Sequence, residues 1–298
     1  MAQSVVVLNT NEAEWEPVLR GRVHSIRRKR LPLDSGIPGV TLELSLSLVP
    51  DGYYTPRHHH NFDQIRYTIE GVQSTGHGDL APGECGYFPE GAFYGPQKQE
   101  GDALALVLQF QGASGEHFLS NEEMNATYNR LIGEGAVFEN GVYKGKTADG
   151  RPKNQDSYEA IWEAHEGRPL TFPRPRYRTP VMMIADAFAW VPDRARPGVD
   201  TKHLGTFTEL RTGIEFLRLN PGAAIEAGPQ GDLELRYLLD GSVRYDGREW
   251  PAGTYFCLPP DASVGRLSSD TGATFFVITL PMVRELAARQ AASLAAAV

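Results

Sequence analysis

The chain has little cysteine, fewer positive than negative charges, and no long apolar run. Each shortage removes a class of protein. Cys85 and Cys257 are the only cysteines among 298 residues, too few for a disulfide framework, so both are expected to be free thiols in a reducing compartment. Asp and Glu number 37 against 29 Lys and Arg, a formal net charge of −8. Such a chain lacks the basic footprint that a nucleic-acid binder needs. One basic cluster exists, Arg20, Arg22, Arg27, Arg28, Lys29 and Arg30. No aromatic residue is interleaved with it to stack bases, and it reads as a solvated strand and loop. No apolar run is long enough to span a bilayer, and Met1-Ala2-Gln3-Ser4 lacks the charged-then-apolar pattern of a signal peptide. The expectation is a cytoplasmic protein with neither membrane nor nucleic-acid partners.

What the chain does have is a histidine-rich stretch with a faded copy. Residues 52–71 run from Gly52 through His58-His59-His60 and Gln64-Ile65-Arg66-Tyr67 to Gly71. At an offset of 170 residues Gly222 answers Gly52, Arg236 answers Arg66, Tyr237 answers Tyr67 and Gly241 answers Gly71. The offset continues without a gap through Gly83 and Gly253, Pro89 and Pro259, Ala92 and Ala262, Gly95 and Gly265, Ala103 and Ala273, and Val107 and Val277. The matches fall mainly on Gly and Pro, which fix turns through backbone geometry and outlast side-chain drift in a duplicated fold. The histidines do not recur, because Gly228 and Gln230 stand where His58 and His60 would be.

Between the turns the segments are short and β-like. Leu42, Leu44, Leu46 and Leu48 alternate with other residues at the period of a half-buried strand. Residues 103–110 and 273–280 are apolar runs typical of strands buried on both faces. Many short strands separated by Gly and Pro predict an all-β sandwich or barrel in each half. The connector differs. Ser120 as N-cap with Glu123 completing a capping box opens a helix through about Ile132, and 156–165 reads as a second. Residues 141–154 read as loop, and 281–298 as an Ala-rich helix. A connector this long is expected to pack over a barrel mouth or a subunit contact.

The spacings Gly52, His58, His60, Gln64, Gly71 and then Gly83, Pro89, Gly91, Tyr94 resemble the two motifs of the cupin superfamily. The resemblance covers roughly residues 35–112 and 205–282. It implies two tandem jelly-roll barrels: an N-terminal barrel over 1–112, a partly helical connector over 113–180, and a C-terminal barrel with its helix over 181–298. It further implies one divalent transition metal in the first barrel. Iron is favoured, with zinc, nickel or manganese as alternatives. The family pattern places Glu and His where this chain has Gln64 and Tyr94.

The residues support part of that ligand set directly. His58 and His60 are two apart on a strand and project to one face, where they can share an ion. His59 points the other way. Gln64 offers a neutral carbonyl oxygen, and Tyr94 a phenol that coordinates well only when deprotonated. Tyr94 is read either as a ligand, as a hydrogen-bond partner of a bound group, or as an acid–base group. His77 is an outside candidate for a third ligand. Arg66 shares the parity of Gln64 and could hold a substrate carboxylate. Against that stand two structural readings: a solvent-facing row of Gln64, Arg66, Thr68 and Glu70, or an ion pair like that expected between Arg236 and Glu234 in the second copy. That copy, with Gly228, Gln230, Glu234 and Val264 at the ligand positions, should hold no transition metal. The chain therefore reads as a metal-dependent enzyme acting on a small anionic molecule. Dioxygenase chemistry leads narrowly on the resemblance, and the neutral Gln64 pulls toward an isomerase, cyclase or lyase. A non-catalytic small-molecule-binding cupin is the alternative of another class, and a homo-oligomer remains open.

Overall fold

A computed structural model describes residues 4–18, 26–37, 40–147 and 149–286. Strands take 45% of the described residues and helices 12%, which fixes the all-β class. The chain divides into two units. One comprises Glu14–Arg30 with Gly39–Ile184, the other Met1–Ala13, Leu31–Pro38 and Ala185–Val298.

The main sheet of the first unit orders its strands Val181–Met183, Cys85–Phe88, Phe62–Glu70, Ala103–Gln111, Leu42–Val49, Arg27–Leu31, Glu16–Pro17. That of the second orders Val6–Asn9, Thr254–Leu258, Leu233–Tyr245, Ala273–Leu280, Thr212–Leu219, Val199–Phe207, Val191–Pro192. The two orders correspond strand for strand, with one exception of origin. The strand beside Thr254–Leu258 comes from the chain's N-terminal segment, with Val6 opposite Cys257. The strand beside Cys85–Phe88 comes from the end of the connector, with Met183 opposite Cys85. The expected division at 112 and 180 thus differs from the observed units at both edges, because edge strands pair by hydrogen bonds and not by sequence proximity.

The retained glycines hold matching turns. Gly71 and Gly241 have φ of +68 and +82, and a Cβ on either would lie 2.1 Å from a backbone oxygen, of Asp102 or Gly272. Only glycine meets both demands, which is why this pair survived the divergence of the copies.

The connector helices form as expected. Helix α1 spans Asn121–Gly133, capped by Ser120 with the full capping box to Glu123. Helix α2 spans Ser157–Glu166, with Asp156 accepting from the backbone N–H groups of Tyr158 and Glu159. Their apolar faces bury Met124, Tyr158, Ile161 and Trp162 with Phe62, Phe118, Leu119 and Leu170. Burial at about 1.5–3 kcal/mol per large side chain ties this helical cover to the barrel strand that carries Phe62. Residues 141–154, expected as loop, instead contribute to an antiparallel meander of Val137–Glu139, Val142–Lys146 and Pro152–Asp156. Its polar sequence reflects two half-exposed faces and not an absence of ladder. Of the helix expected over 281–298, residues 282–286 are helical and the rest of the expected span lies outside the described residues. Among the described residues no helix is long and apolar enough to cross a membrane, and both cysteines are free and buried.

Candidate functional site

The first unit is hollow. A cavity of about 140 Å³ lies inside its barrel, lined by the strand residues Arg28, Glu43, Gln64, Arg66 and Gln109, and by His58, His60 and Tyr94, and it is flanked by Phe118, Met124, Ser157, Tyr158 and Ile161 of the helical cover. The two histidines, expected on a strand, lie just before one: His58 makes an isolated bridge and His60 is in the loop that leads into Phe62–Glu70. Register explains the convergence. Gln64 lies opposite Gln109, and Gln109 opposite Glu43, so the three form one inward row across neighbouring strands. The next row is Arg66, Val107 and Ser45. His58 and Tyr94 are brought together by a two-way backbone bridge, with His58 N donating to Tyr94 O and Tyr94 N to His58 O, both at 3.0 Å.

The side chains then organise around Arg66. Its Nε donates to Gln64 Oε1 at 2.5 Å, and its Nη2 donates to the Tyr94 hydroxyl at 3.1 Å. The guanidinium carbon sits 4.4 Å from the centre of the Phe88 ring and 5.1 Å from that of Tyr94, a cation–π arrangement strengthened by burial. The solvent-facing row is therefore excluded for Gln64, Arg66 and Thr68, which are buried; Glu70 alone is exposed. The second-copy ion pair does form between Arg236 and Glu234. In the first copy Gln64 takes the place of that glutamate, so the equivalent contact is a hydrogen bond to a neutral amide.

The two imidazoles are poised as nitrogen donors. His58 Nδ1 bonds the Pro56 carbonyl at 2.8 Å, which leaves Nε2 as the basic nitrogen. The His58 and His60 rings lie 4.9 Å apart, and His60 Nδ1 is 3.3 Å from the Tyr94 hydroxyl. His59 faces away as expected and is stacked between Phe93 and Phe172 at 3.9 and 3.5 Å. His77 does not join the site. Its Nε2 contacts the Phe93 carbonyl in an exposed turn, and it does not line the cavity. A divalent ion fits the imidazole pair. It fits the oxygen donors poorly, because the Gln64 and Tyr94 oxygens are already engaged by a guanidinium of the same charge sign as the metal. Among the described residues no group of three His, Cys, Asp or Glu side chains could hold a metal ion.

Sequence reading missed Arg28. It was grouped with a solvated basic cluster. Arg27 and Arg30 are exposed as expected, with Arg30 paired to Glu16, but Lys29 is buried against Trp15, and Arg20 and Arg22 lie outside the described residues. Among the described residues of the cluster only Arg28 lines the cavity, and it also borders a shallow pocket with Glu16, Arg30 and Asn121. Burial pulls its guanidinium below the ordinary arginine range, Glu43 partly offsets this, and Arg66 adds to the depression. The available signal was parity, since Arg27 and Lys29 share one face of the strand and Arg28 the other. Elsewhere in the wall, burial pushes the Cys85 thiol far up, and burial beside Asp63 does the same to the Tyr87 phenol, so both stay protonated. These are structural groups.

The second unit repeats the frame without the chemistry. Gly228 pairs with Val264 at the positions of His58 and Tyr94. The interior row Thr68, Ala105, Ser47 of the first barrel corresponds to Leu238, Phe275, Leu217 of the second. Phe256 stands where the first barrel has Gly86, and these large side chains form a packed core.

No protein-family model matches the sequence, and no curated protein does. Solved structures do match the fold. A "putative dioxygenase" from Nostoc punctiforme superposes with a TM-score of 0.64 at 15% identity, covering 94% of this chain and 84% of that one. The fold is that of a cupin, present twice. A "putative glyoxylate induced protein" from Pseudomonas aeruginosa gives a cupin match with TM-score 0.56 at 12% identity, over 94% of this chain and 90% of that one. Oxalate decarboxylase from Bacillus subtilis gives 0.53 at 14% identity, over 94% and 77%. At these identities the likeness concerns the cupin fold and leaves the chemistry to be argued from the cavity.

Proposed function

We propose that the first barrel is the working half of a metal-dependent cupin enzyme, and that it acts on a small organic anion. One observation carries this reading: His58, His60, Gln64, Arg66 and Tyr94 line one cavity, while the second barrel keeps Arg236 but has Gly228, Gln230, Glu234 and Val264 at the other four positions. His58 and His60 would hold one divalent transition metal, which would supply a Lewis-acidic or redox centre with open positions. Gln64 would close the shell only if released from Arg66. Arg66 binds and orients an acidic group of the substrate. Tyr94, between His60 and Arg66, is placed to hold or pass a proton at its hydroxyl. The helical cover excludes water. Oxidative cleavage of the dioxygenase type leads narrowly, with isomerisation, cyclisation or elimination as the non-redox form.

A second reading has its own observation. Arg66 occupies both oxygen donors, which favours a metal-free binding cupin that holds a small anion without transforming it. Metal analysis of the native protein and of His58→Ala and His60→Ala decides between them. Stoichiometric metal in the native protein, lost in both variants, is the expected result. Native protein that stays metal-free after dialysis against iron, manganese or zinc would sink the enzyme reading. Iron with substrate-dependent oxygen uptake would select the dioxygenase form, and zinc the non-redox form.

A further inference from the structure

Arg66 is not the only cation in the cavity wall. Arg28 enters from the strand Arg27–Leu31, three strand positions away across the sheet. At about 4.8 Å per strand this separates the two backbones by about 14 Å or less, depending on how far the barrel curls. The two arginines therefore address the cavity from different walls.

The charge balance is unequal. Glu43 is the only carboxylate among the lining residues. Its Oε1 already accepts the backbone N–H of Asn121 at 2.6 Å, in the first turn of α1, where a helix N-terminus stabilises negative charge. Two guanidiniums thus face one carboxylate that is shared with a helix end. Arg28 Nε is buried and has no hydrogen-bond partner in the protein, and the same holds for Gln73 Oε1 and Ser157 Oγ, both in the cavity wall. Arg28 as a whole is half-buried, but a buried donor left unmet is costly, and native proteins retain such groups where a ligand meets them.

We propose that Arg28 is a second anion anchor, and that the cavity takes a short dicarboxylate held between Arg28 and Arg66. The inference rests on reading the cavity as a ligand site and adds the substrate class to it. Volume sets the length. A cavity near 150 Å³ accommodates a molecule of benzene size, so 140 Å³ admits a ligand of about six to nine non-hydrogen atoms. A chain of four carbons with a carboxylate at each end is of that size. One end meets Arg66 beside His58, His60 and Tyr94, where chemistry occurs. The other meets Arg28 and fixes chain length, so Arg28 is a specificity residue and not a catalytic one.

Calorimetric titration with succinate and with its isosteric monoamide, succinamate, at equal ionic strength tests this. Succinate is expected to bind about tenfold or more tightly than succinamate, the scale of one charge-assisted hydrogen-bonded pair. In Arg28→Met the two should bind alike, and Arg28→Lys should restore part of the difference. Without ligand, Arg28→Met should melt higher than the native protein by about 2–4 °C, because a half-buried cation with an unmet buried donor is removed. Equal binding of the two probes by the native protein overturns the second anchor and leaves the anion-binding cavity standing. Failure of both to bind overturns the cavity reading and this inference with it. A lower melting temperature in Arg28→Met together with unchanged succinate preference assigns Arg28 a structural role and overturns the proposal.

Discussion

The two barrels share strand order, turn glycines and backbone pairing, yet one is hollow and the other is full. Thr68, Ala105 and Ser47 are small where Leu238, Phe275 and Leu217 fill the second interior, and Ser47 lines the cavity. The polar groups follow the space. Gln64, Gln109 and Glu43 line the hollow row, and Glu234, Thr279 and Gly213 stand in their places. A barrel needs its interior either packed or functional, since unfilled space forfeits dispersion and hydrophobic stabilisation. The second barrel stabilises itself from within. The first has a cavity inside and packs its helical cover against the strand that carries Phe62.

The largest effect should come from emptying the full barrel. Phe275→Ala removes a fully buried ring and is expected to cost about 3–5 kcal/mol in denaturant unfolding. A cost near that of a surface substitution would mean the second interior is not a true core. The reciprocal change, Ala105→Phe, puts the same side chain into the hollow barrel. It should abolish metal and succinate binding while costing at most about 1–3 kcal/mol. Retained binding would place the ligand outside the barrel. Tyr94→Phe removes a hydroxyl shared by His60 and Arg66 and should cost about 1 kcal/mol, with its larger effect on any turnover. The smallest effect concerns Glu215, which stands where the first barrel has Ser45. Burial, reinforced by Glu234, raises its carboxyl above the ordinary value of 4.5. A raised folded-state value favours the protonated form, so stability is fully present below 4.5 and is lost as pH rises through the folded value. Glu215→Gln should therefore raise the melting temperature at neutral pH and leave it unchanged near pH 4. A gain that persists in acid would point to packing and not to titration.

The duplication and the fold class were legible because they are written in backbone terms. Gly71 and Gly241 are forced by geometry, and the strands at 103–110 and 273–280 by unbroken apolar runs. The candidate ligands were legible from spacing. Their surroundings were not. Nothing in the local sequence tells that Arg66 engages both Gln64 and Tyr94, because that depends on the side-chain path across two strands. Arg28 was hidden by its neighbours. Six basic residues within eleven positions read as a surface, and only pairing with the rest of the sheet turns one of them inward. The loop expected over 141–154 shows the complementary limit: a short meander exposed on both faces carries no apolar alternation to reveal it.

The exchanged edge strands bear on how the chain comes to be made. Val6–Asn9 is synthesised before the strands of the first unit's main sheet, and its partner Thr254–Leu258 only after them. Val181–Met183, by contrast, follows its partner Cys85–Phe88 with only first-unit residues in between. The first unit can thus close its sheet while the second still lacks the strand that its own edge joins.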